Sequence, residues 1–172
     1  MRFTSLAQTT VLYLAAFGVL SGCGGGSSTT LSNPNSNPPQ VTRGQSGPLQ
    51  FTLSTPKTIY AVGEDVNIEY TLTNTGSEPF DVFQCIGLGD AHALQGETHI
   101  WTDVRSGGAG CGARPLAPGE TQRDSISTWD QRSNIPFGET MPSQVPPGTY
   151  RIVFTPDAGS ALRPPPLVIT IR

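Results

Sequence analysis

The sequence predicts an all-β fold, in which short antiparallel strands form a sandwich. The first observation is composition: the 172 residues include 20 glycines and 16 prolines, and only 13% are charged, which is typical of turn-rich β proteins. The second is periodicity. Residues 66–74 alternate apolar and polar side chains, with Val66, Ile68, Tyr70 and Leu72 on one face, and a period of two over this length predicts a half-buried strand.

About seven strands are expected between turn signals. The first, residues 51–53, is interpreted as an edge strand, and the turn residues 74–79 are expected to join the second and third strands as a hairpin. Without a convincing amphipathic helix, such strands favour an Ig-like β-sandwich, since each can bury one face against an opposing sheet. Trp101, Trp129 and Tyr150 are then interpreted as core or sheet-edge aromatics. The expected strands cover residues 51–53, 66–74, 80–83, 99–104, 125–129, 149–154 and 167–171.

Residues 1–22 have the composition of a cleavable secretory signal. Arg2 supplies the positive start, residues 11–20 form an apolar stretch, and Ser21 and Gly22 are small. A bilayer-spanning helix needs about 20 apolar residues, so this stretch is expected to direct export and then to be removed.

The end of this segment resembles the lipobox of bacterial lipoproteins. Leu20, Ser21 and Gly22 precede Cys23, and the resemblance implies that the Cys23 thiol carries a diacylglyceryl group after cleavage. Two or three acyl chains anchor a protein stably, whereas one chain does so only marginally. In a Gram-negative host, Gly24 in place of Asp would favour the outer over the inner membrane. We expect the covalent lipid to be the only attached group, with no cofactor.

Residues 23–48 are expected to form the lipidated cysteine and a flexible tether. From residue 24 to 48 only Leu31 and Val41 are appreciably apolar among glycine, serine, asparagine and proline, so the stretch lacks the surface needed for a core. A flexible coil of this length would span on the order of 28 Å. The folded domain is therefore expected over residues 49–172.

Two cysteines remain, Cys85 and Cys111. Because an exported domain meets an oxidising compartment, the simplest interpretation is a disulfide between them. Two free buried thiols are the alternative.

Charge and motif spacing argue against several classes of function. The net charge of −3 does not favour nucleic acid as a partner. His92 and His99, with Asp90 and Asp103 near them in sequence, match no standard zinc spacing, and no nucleophile-elbow motif is present. We therefore expect neither a metal site nor an enzyme; an enzyme would need an activity lost on changing His92, His99 or Asp103.

Several short motifs in order resemble the BsuPI domain, a family named after an intracellular proteinase inhibitor of Bacillus. The resemblance covers about residues 51–156 and implies a β-sandwich that binds proteins. The region from Gln84 to Cys111 departs from the family pattern. The motifs are Tyr60-x-x-Gly63-Glu64, Leu72-Thr73-Asn74-Thr75-Gly76, Leu116-x-Pro118-Gly119-Glu120, Thr128-Trp129-Asp130-Gln131 and Val145-Pro146-Pro147-Gly148-Thr149-Tyr150.

Two functions are compatible with these features. The first is a non-catalytic protein-binding module, such as a proteinase inhibitor in the cell envelope, that presents a disulfide-ordered loop. Leu88, Leu94 and Arg105 are the candidate contacts of that loop, since pre-ordering lowers the entropy cost of binding. The second is a structural or assembly module that binds another envelope component or a polysaccharide.

Overall fold

A computed structural model describes residues 37–85, 87–103, 110–124, 126–134 and 142–172 of the chain. In these ranges it contains twelve strands and one short 3₁₀ helix, Ser160–Leu162. The strands are β1 (Gln40–Ser46), β2 (Leu49–Thr55), β3 (Ile59–Tyr60), β4 (Val66–Asn74), β5 (Phe80–Gln84), β6 (Gly89–Gln95), β7 (Thr98–Thr102), β8 (Gly112–Leu116), β9 (Thr121–Arg123), β10 (Ser127–Trp129), β11 (Gly148–Pro156) and β12 (Leu167–Ile171).

The strands form two five-stranded sheets and one two-stranded ribbon. The first sheet has the order β1-β2-β4-β10, with β9 also paired to β4; the second has the order β3-β12-β11-β6-β7. All pairs are antiparallel except the short pairing of β3 with β12. The ribbon consists of β5 and β8. The all-β class and the sandwich-like arrangement predicted from the sequence are confirmed.

Both sheets contribute to one hydrophobic core. β2 and β4 alternate buried and non-buried residues along their whole length, and β11 does so from Tyr150 onward, so each turns one face inward. The Tyr70 ring of β4 stacks on the Phe154 ring of β11 with centroids 3.9 Å apart. Trp129 packs edge-to-face on Tyr150, with centroids 5.4 Å apart, and Trp101 stacks against Trp129. These aromatics are buried, as expected, since burial of their large apolar area dominates the core.

Three expectations about the strands are wrong. The count of about seven is too low, because the described residues also contain five strands that were not expected, β1, β3, β6, β8 and β9. Residues 51–53 belong to β2, which lies between β1 and β4 rather than at an edge. β4 and β5 are not a hairpin, since β5 pairs with β8.

The domain boundary predicted at residue 49 is also wrong. Gln40–Ser46 pairs with β2 over seven residues, so this part of the expected tether is an edge strand of the first sheet. The side chain of Asn37 fixes the chain just before it: its Oδ1 accepts hydrogen bonds from the backbone N–H groups of Thr58 and Ile59, each at 2.8 Å. The remaining tether, residues 24–36, and the signal, residues 1–22, lie outside the described residues.

Candidate functional site

The ribbon consists of β5 and β8, and the β6–β7 hairpin lies between these two strands in the sequence. A disulfide joins the two strands of the ribbon at one end. Cys85 and Cys111, which follow β5 and precede β8, are bonded to each other, as predicted. The backbone N–H of Cys85 donates to Oδ2 of Asp157 at 2.9 Å. Because Asp157 directly follows β11, this bond ties the end of the ribbon to the second sheet.

The other end of the ribbon is held by Asn74, the last residue of β4. Its Nδ2 donates to the carbonyl oxygens of Glu78 and Leu116, each at 2.8 Å, and the Asn74 side chain is fully buried. A buried amide with both hydrogen bonds made is a rigid connection. The ribbon is therefore fixed at both ends, although most of its residues are exposed.

Close packing at the start of β6 requires glycine. Gly89 has a φ of +153°, and a Cβ added there would lie 2.2 Å from the carbonyl oxygen of Thr155. No side chain fits at that distance. The backbone of β6 thus approaches β11 closely at Gly89, four residues after Cys85 of the disulfide.

An apolar groove lies between the ribbon and the segment after β11. Its buried floor is formed by Leu49, Val82 and Leu162, and its volume is about 250 Å³. Small-molecule sites usually measure about 300–1,000 Å³, so this groove suits one or two side chains better than a cofactor. Ser46, Ala158 and Ala161 complete its wall on the side away from the ribbon.

Two phenylalanines stand exposed along the ribbon side of the groove. Phe80 is 39% exposed and Phe83 is 48% exposed, and both line the groove. Large exposed aromatics at a groove are typical of protein-binding surfaces. Sequence reasoning missed them, although a signal existed: Phe80 and Phe83 are three residues apart in one strand, so alternation cannot place both on the buried face.

The groove and the entry of the chain into the domain lie at opposite ends of β1. Asn37 and Gln40 are at one end, whereas Ser46 lines the groove at the other. Seven strand residues at about 3.3 Å each separate these ends by about 20 Å. The groove that Phe80 and Phe83 line therefore lies near the end of β1 opposite to the one at which the N-terminal segment joins the domain.

The predicted partner-binding loop is not supported. Leu88 is 2% exposed and Leu94 is 6% exposed, so neither side chain is available to a partner. The prediction failed because this region is folded into the second sheet, where Leu94 pairs with Arg151 of β11. Arg105 lies outside the described residues, as does Cys23.

The structure brings His92 and His99 together across β6 and β7. Their rings meet edge-to-face with centroids 5.3 Å apart, and Nδ1 of His92 is 3.0 Å from Oγ1 of Thr102. Burial, and then the charges of His99 and Arg163, lower the pKa of His92 against an opposing effect of Asp103. In the described part of the chain, no three His, Cys, Asp or Glu side chains are placed to share a metal ion.

Two of the motifs on which the BsuPI resemblance was based form turns in the structure. Glu64 and Glu120 each accept a hydrogen bond from the backbone N–H three residues earlier, at 3.0 and 2.9 Å. Each follows a glycine with positive φ, +79° at Gly63 and +75° at Gly119, a conformation that favours glycine. These residues therefore specify the local fold.

Gln131 connects two of these motifs. Its Nε2 donates to the carbonyl oxygen of Ala61 at 2.8 Å, and its Oε1 accepts from the N–H of Gly63 at 2.8 Å. It is fully buried and has a positive φ of 58°. Gln131, the last residue of the Thr-Trp-Asp-Gln element, thus stabilises the turn at residues 60–64 through its buried side chain.

Comparisons with known proteins assign no family. No protein-family model matches the sequence, and no curated protein matches it. Similar solved structures include a β-glucosidase from Listeria innocua, with 10% identity, a TM-score of 0.43, and coverage of 78% of this chain and 16% of that one. A β-glucosidase from Erythrobacter marinus gives 16% identity, a TM-score of 0.40, and coverage of 78% and 16%.

A third similar structure is an alkylpurine DNA glycosylase from Pseudomonas fluorescens bound to DNA with an abasic site analog. It gives 14% identity, a TM-score of 0.40, and coverage of 75% of this chain and 32% of that one. This chain thus spans under a third of the length of each of these proteins.

Among the described residues, no helix is long and apolar enough to cross a membrane.

Proposed function

We propose that this chain is a lipid-anchored protein of the cell envelope whose β-sandwich domain binds another protein without catalysing a reaction. The observation that carries the binding role is the exposure of Phe80 and Phe83 beside an apolar groove, on a ribbon fixed at both ends. Rigid aromatics lose little conformational entropy on binding, so they are effective anchors for a partner.

Two features support the envelope location. Leu20-Ser21-Gly22-Cys23 resembles a lipobox, and the Cys85–Cys111 disulfide suits an oxidising compartment. Gly24 favours the outer membrane if the host is Gram-negative. In this proposal, lipid on Cys23 holds the domain near the bilayer through the tether.

The anchor is tested by labelling cells with a palmitate analogue. We expect label on the wild-type chain and partitioning into the detergent phase after extraction. Cys23→Ala should lose the label and remain as an uncleaved precursor, whereas Cys85→Ala should keep the label. Equal labelling of wild type and Cys23→Ala would contradict the anchor.

The binding role is tested with two variants of the full chain expressed in the host. Phe80→Ser with Phe83→Ser removes the exposed aromatics at the groove, whereas Val168→Ser removes an exposed apolar residue, 46% exposed, from β12. A partner that copurifies with wild type and Val168→Ser but not with the double variant supports the proposal. A partner retained by the double variant would mean that binding occurs elsewhere.

Proteinase inhibition is the form of protein binding that the BsuPI resemblance implies. Because Leu88 and Leu94 are buried, we propose that any such contact would be made by the ribbon rather than by these two residues. The mature chain at high molar excess should then inhibit at least one serine protease, and Phe83→Ser should weaken the inhibition. If a broad panel of proteases is unaffected, the partner is a structural or assembly component instead.

A further inference from the structure

We propose that the apolar groove receives an extended segment of the partner protein in which an apolar side chain lies next to a lysine or arginine. This inference rests on the proposed binding function and adds the chemistry of the segment that is recognised.

The apolar part of the recognition follows from the groove itself. Its floor consists of Leu49, Val82 and Leu162, each at most 6% exposed, and its volume of about 250 Å³ accommodates one or two side chains. Phe80 and Phe83 also line it, so an inserted apolar side chain would have aromatic surface available to contact. Burying such a side chain contributes favourably at about 25 cal/mol per Å² of apolar surface.

The preference for a lysine or arginine in the partner segment follows from Asp81, the single charged residue that lines the groove. Asp81 lies between the two phenylalanines in β5 and is exposed. Among the described residues it forms no ion pair, whereas Arg114, opposite Val82 on the ribbon, is paired with Glu120 at 3.1 Å. A carboxylate left without a counter-charge beside an apolar groove favours a cation next to the inserted group.

The cation nearest in sequence to the groove floor does not supply this charge. Arg163 follows Leu162, and among the described residues no ion pair joins it to Asp81. The acidic character of the groove rim is therefore available to a partner.

The partner segment is expected to be extended rather than helical. A ribbon of two strands with an adjacent narrow groove offers a strand-like surface, and extended segments read alternate side chains into such surfaces. In this arrangement, one apolar side chain of the segment enters the groove. A basic side chain one or two positions away in the segment reaches Asp81.

The test is selection of random peptides displayed on phage, with the purified mature chain as bait. We expect enrichment of sequences in which Leu, Ile, Met or Phe occurs within two residues of Lys or Arg. Phe83→Ser should lose the enrichment. Asp81→Lys should reverse the charge preference, so that Asp or Glu replaces Lys and Arg at the same spacing.

The matched control is Asp65→Lys, which introduces the same charge change at an exposed position just before β4, at the other end of the first sheet. It should select the same sequences as wild type. If wild type enriches no such sequence, or if Asp81→Lys and Asp65→Lys keep the wild-type preference, the inference is wrong. The proposed binding function is judged separately by copurification with the double phenylalanine variant, which does not depend on the charge of the segment.

Discussion

The hydroxyl group of Tyr70 donates a hydrogen bond to the carbonyl oxygen of Leu162 at 3.1 Å, although 92 residues separate them in the chain. Tyr70 belongs to the core, where its ring stacks on Phe154, and Leu162 forms part of the groove floor. Burial, with a smaller contribution from Asp124, raises the pKa of Tyr70, so the hydroxyl remains protonated and can donate. One core side chain thus fixes the floor of the candidate site.

Replacing Tyr70 with phenylalanine should destabilise the domain without removing the aromatic stack. The Leu162 carbonyl would lose its buried donor, so we expect the free energy of unfolding to fall by about 1–2 kcal/mol. Urea unfolding of the mature chain measures the change. Thr128→Val removes an exposed hydrogen bond to Asn67 and should change stability by less than about 0.5 kcal/mol. Equal stability of Tyr70→Phe and wild type would show that the bond is not formed.

The disulfide should make a large contribution to stability. Cys85 and Cys111 are 26 residues apart, and closing a loop of this size stabilises a fold by about 3 kcal/mol. The variant with both cysteines replaced by serine should therefore unfold at lower urea concentration. Wild type in dithiothreitol should match the variant, and a variant as stable as the oxidised wild type would contradict the role of the bond.

Gln131 should be among the most sensitive polar residues. Gln131→Ala would remove the partner of the Gly63 N–H and of the Glu64 carbonyl oxygen, whereas the Ala61 carbonyl oxygen would keep its bond from the Glu64 N–H. Residues 63 and 64 are exposed or half-buried, so water can replace part of the lost bonding, and we expect a loss of about 1–2 kcal/mol in thermal or urea unfolding. Gln50→Ala, on the exposed side of β2, is the matched control and should lose less than about 0.5 kcal/mol.

Stability should decrease as the pH falls through the range in which histidine titrates. Burial, His99 and Arg163 lower the pKa of His92, with Asp103 opposing them. The unfolded chain, with a histidine pKa of about 6.5, therefore binds its proton at a higher pH than the folded chain does. The stability contributed by neutral His92 is full above that unfolded pKa and is lost as the pH falls towards the lowered folded pKa.

The measurement is urea unfolding at several pH values from about 8 to 5. His92→Gln should flatten the dependence, and His99→Gln should reduce it, since His99 contributes to the lowered pKa of His92. If the His92→Gln variant keeps the full slope of wild type, another group is responsible.

The sequence predicted the core strands better than the edges. Val66–Asn74 is a strand over the residues expected. Its prediction succeeded because apolar and polar side chains alternate strictly, as they do when one face of a strand is buried. β1 was predicted as tether because it contains one apolar side chain, Val41, and in the structure its residues are indeed all partly or fully exposed. Its strand conformation results from backbone pairing with β2, and backbone pairing requires almost no particular pattern of side chains in the sequence.

The candidate site depends on contacts that local sequence patterns cannot show. Asn74 ends β4 in a turn typical of a hairpin, but its side chain bonds to Leu116, and β5 pairs with β8 instead. The disulfide was predictable from the number of cysteines. The groove was not, since its floor combines Leu49, Val82 and Leu162 from distant parts of the chain.

The central claim, that the groove end of the domain contacts a protein partner, is tested most directly by site-specific photo-crosslinking in cells. A photoreactive amino acid is placed at Phe83 in one strain and at Val168, also exposed, in another, with Cys23 intact in both. We predict a discrete crosslinked protein from position 83 and none from position 168. No crosslink at position 83, or the same product from both positions, would contradict the account.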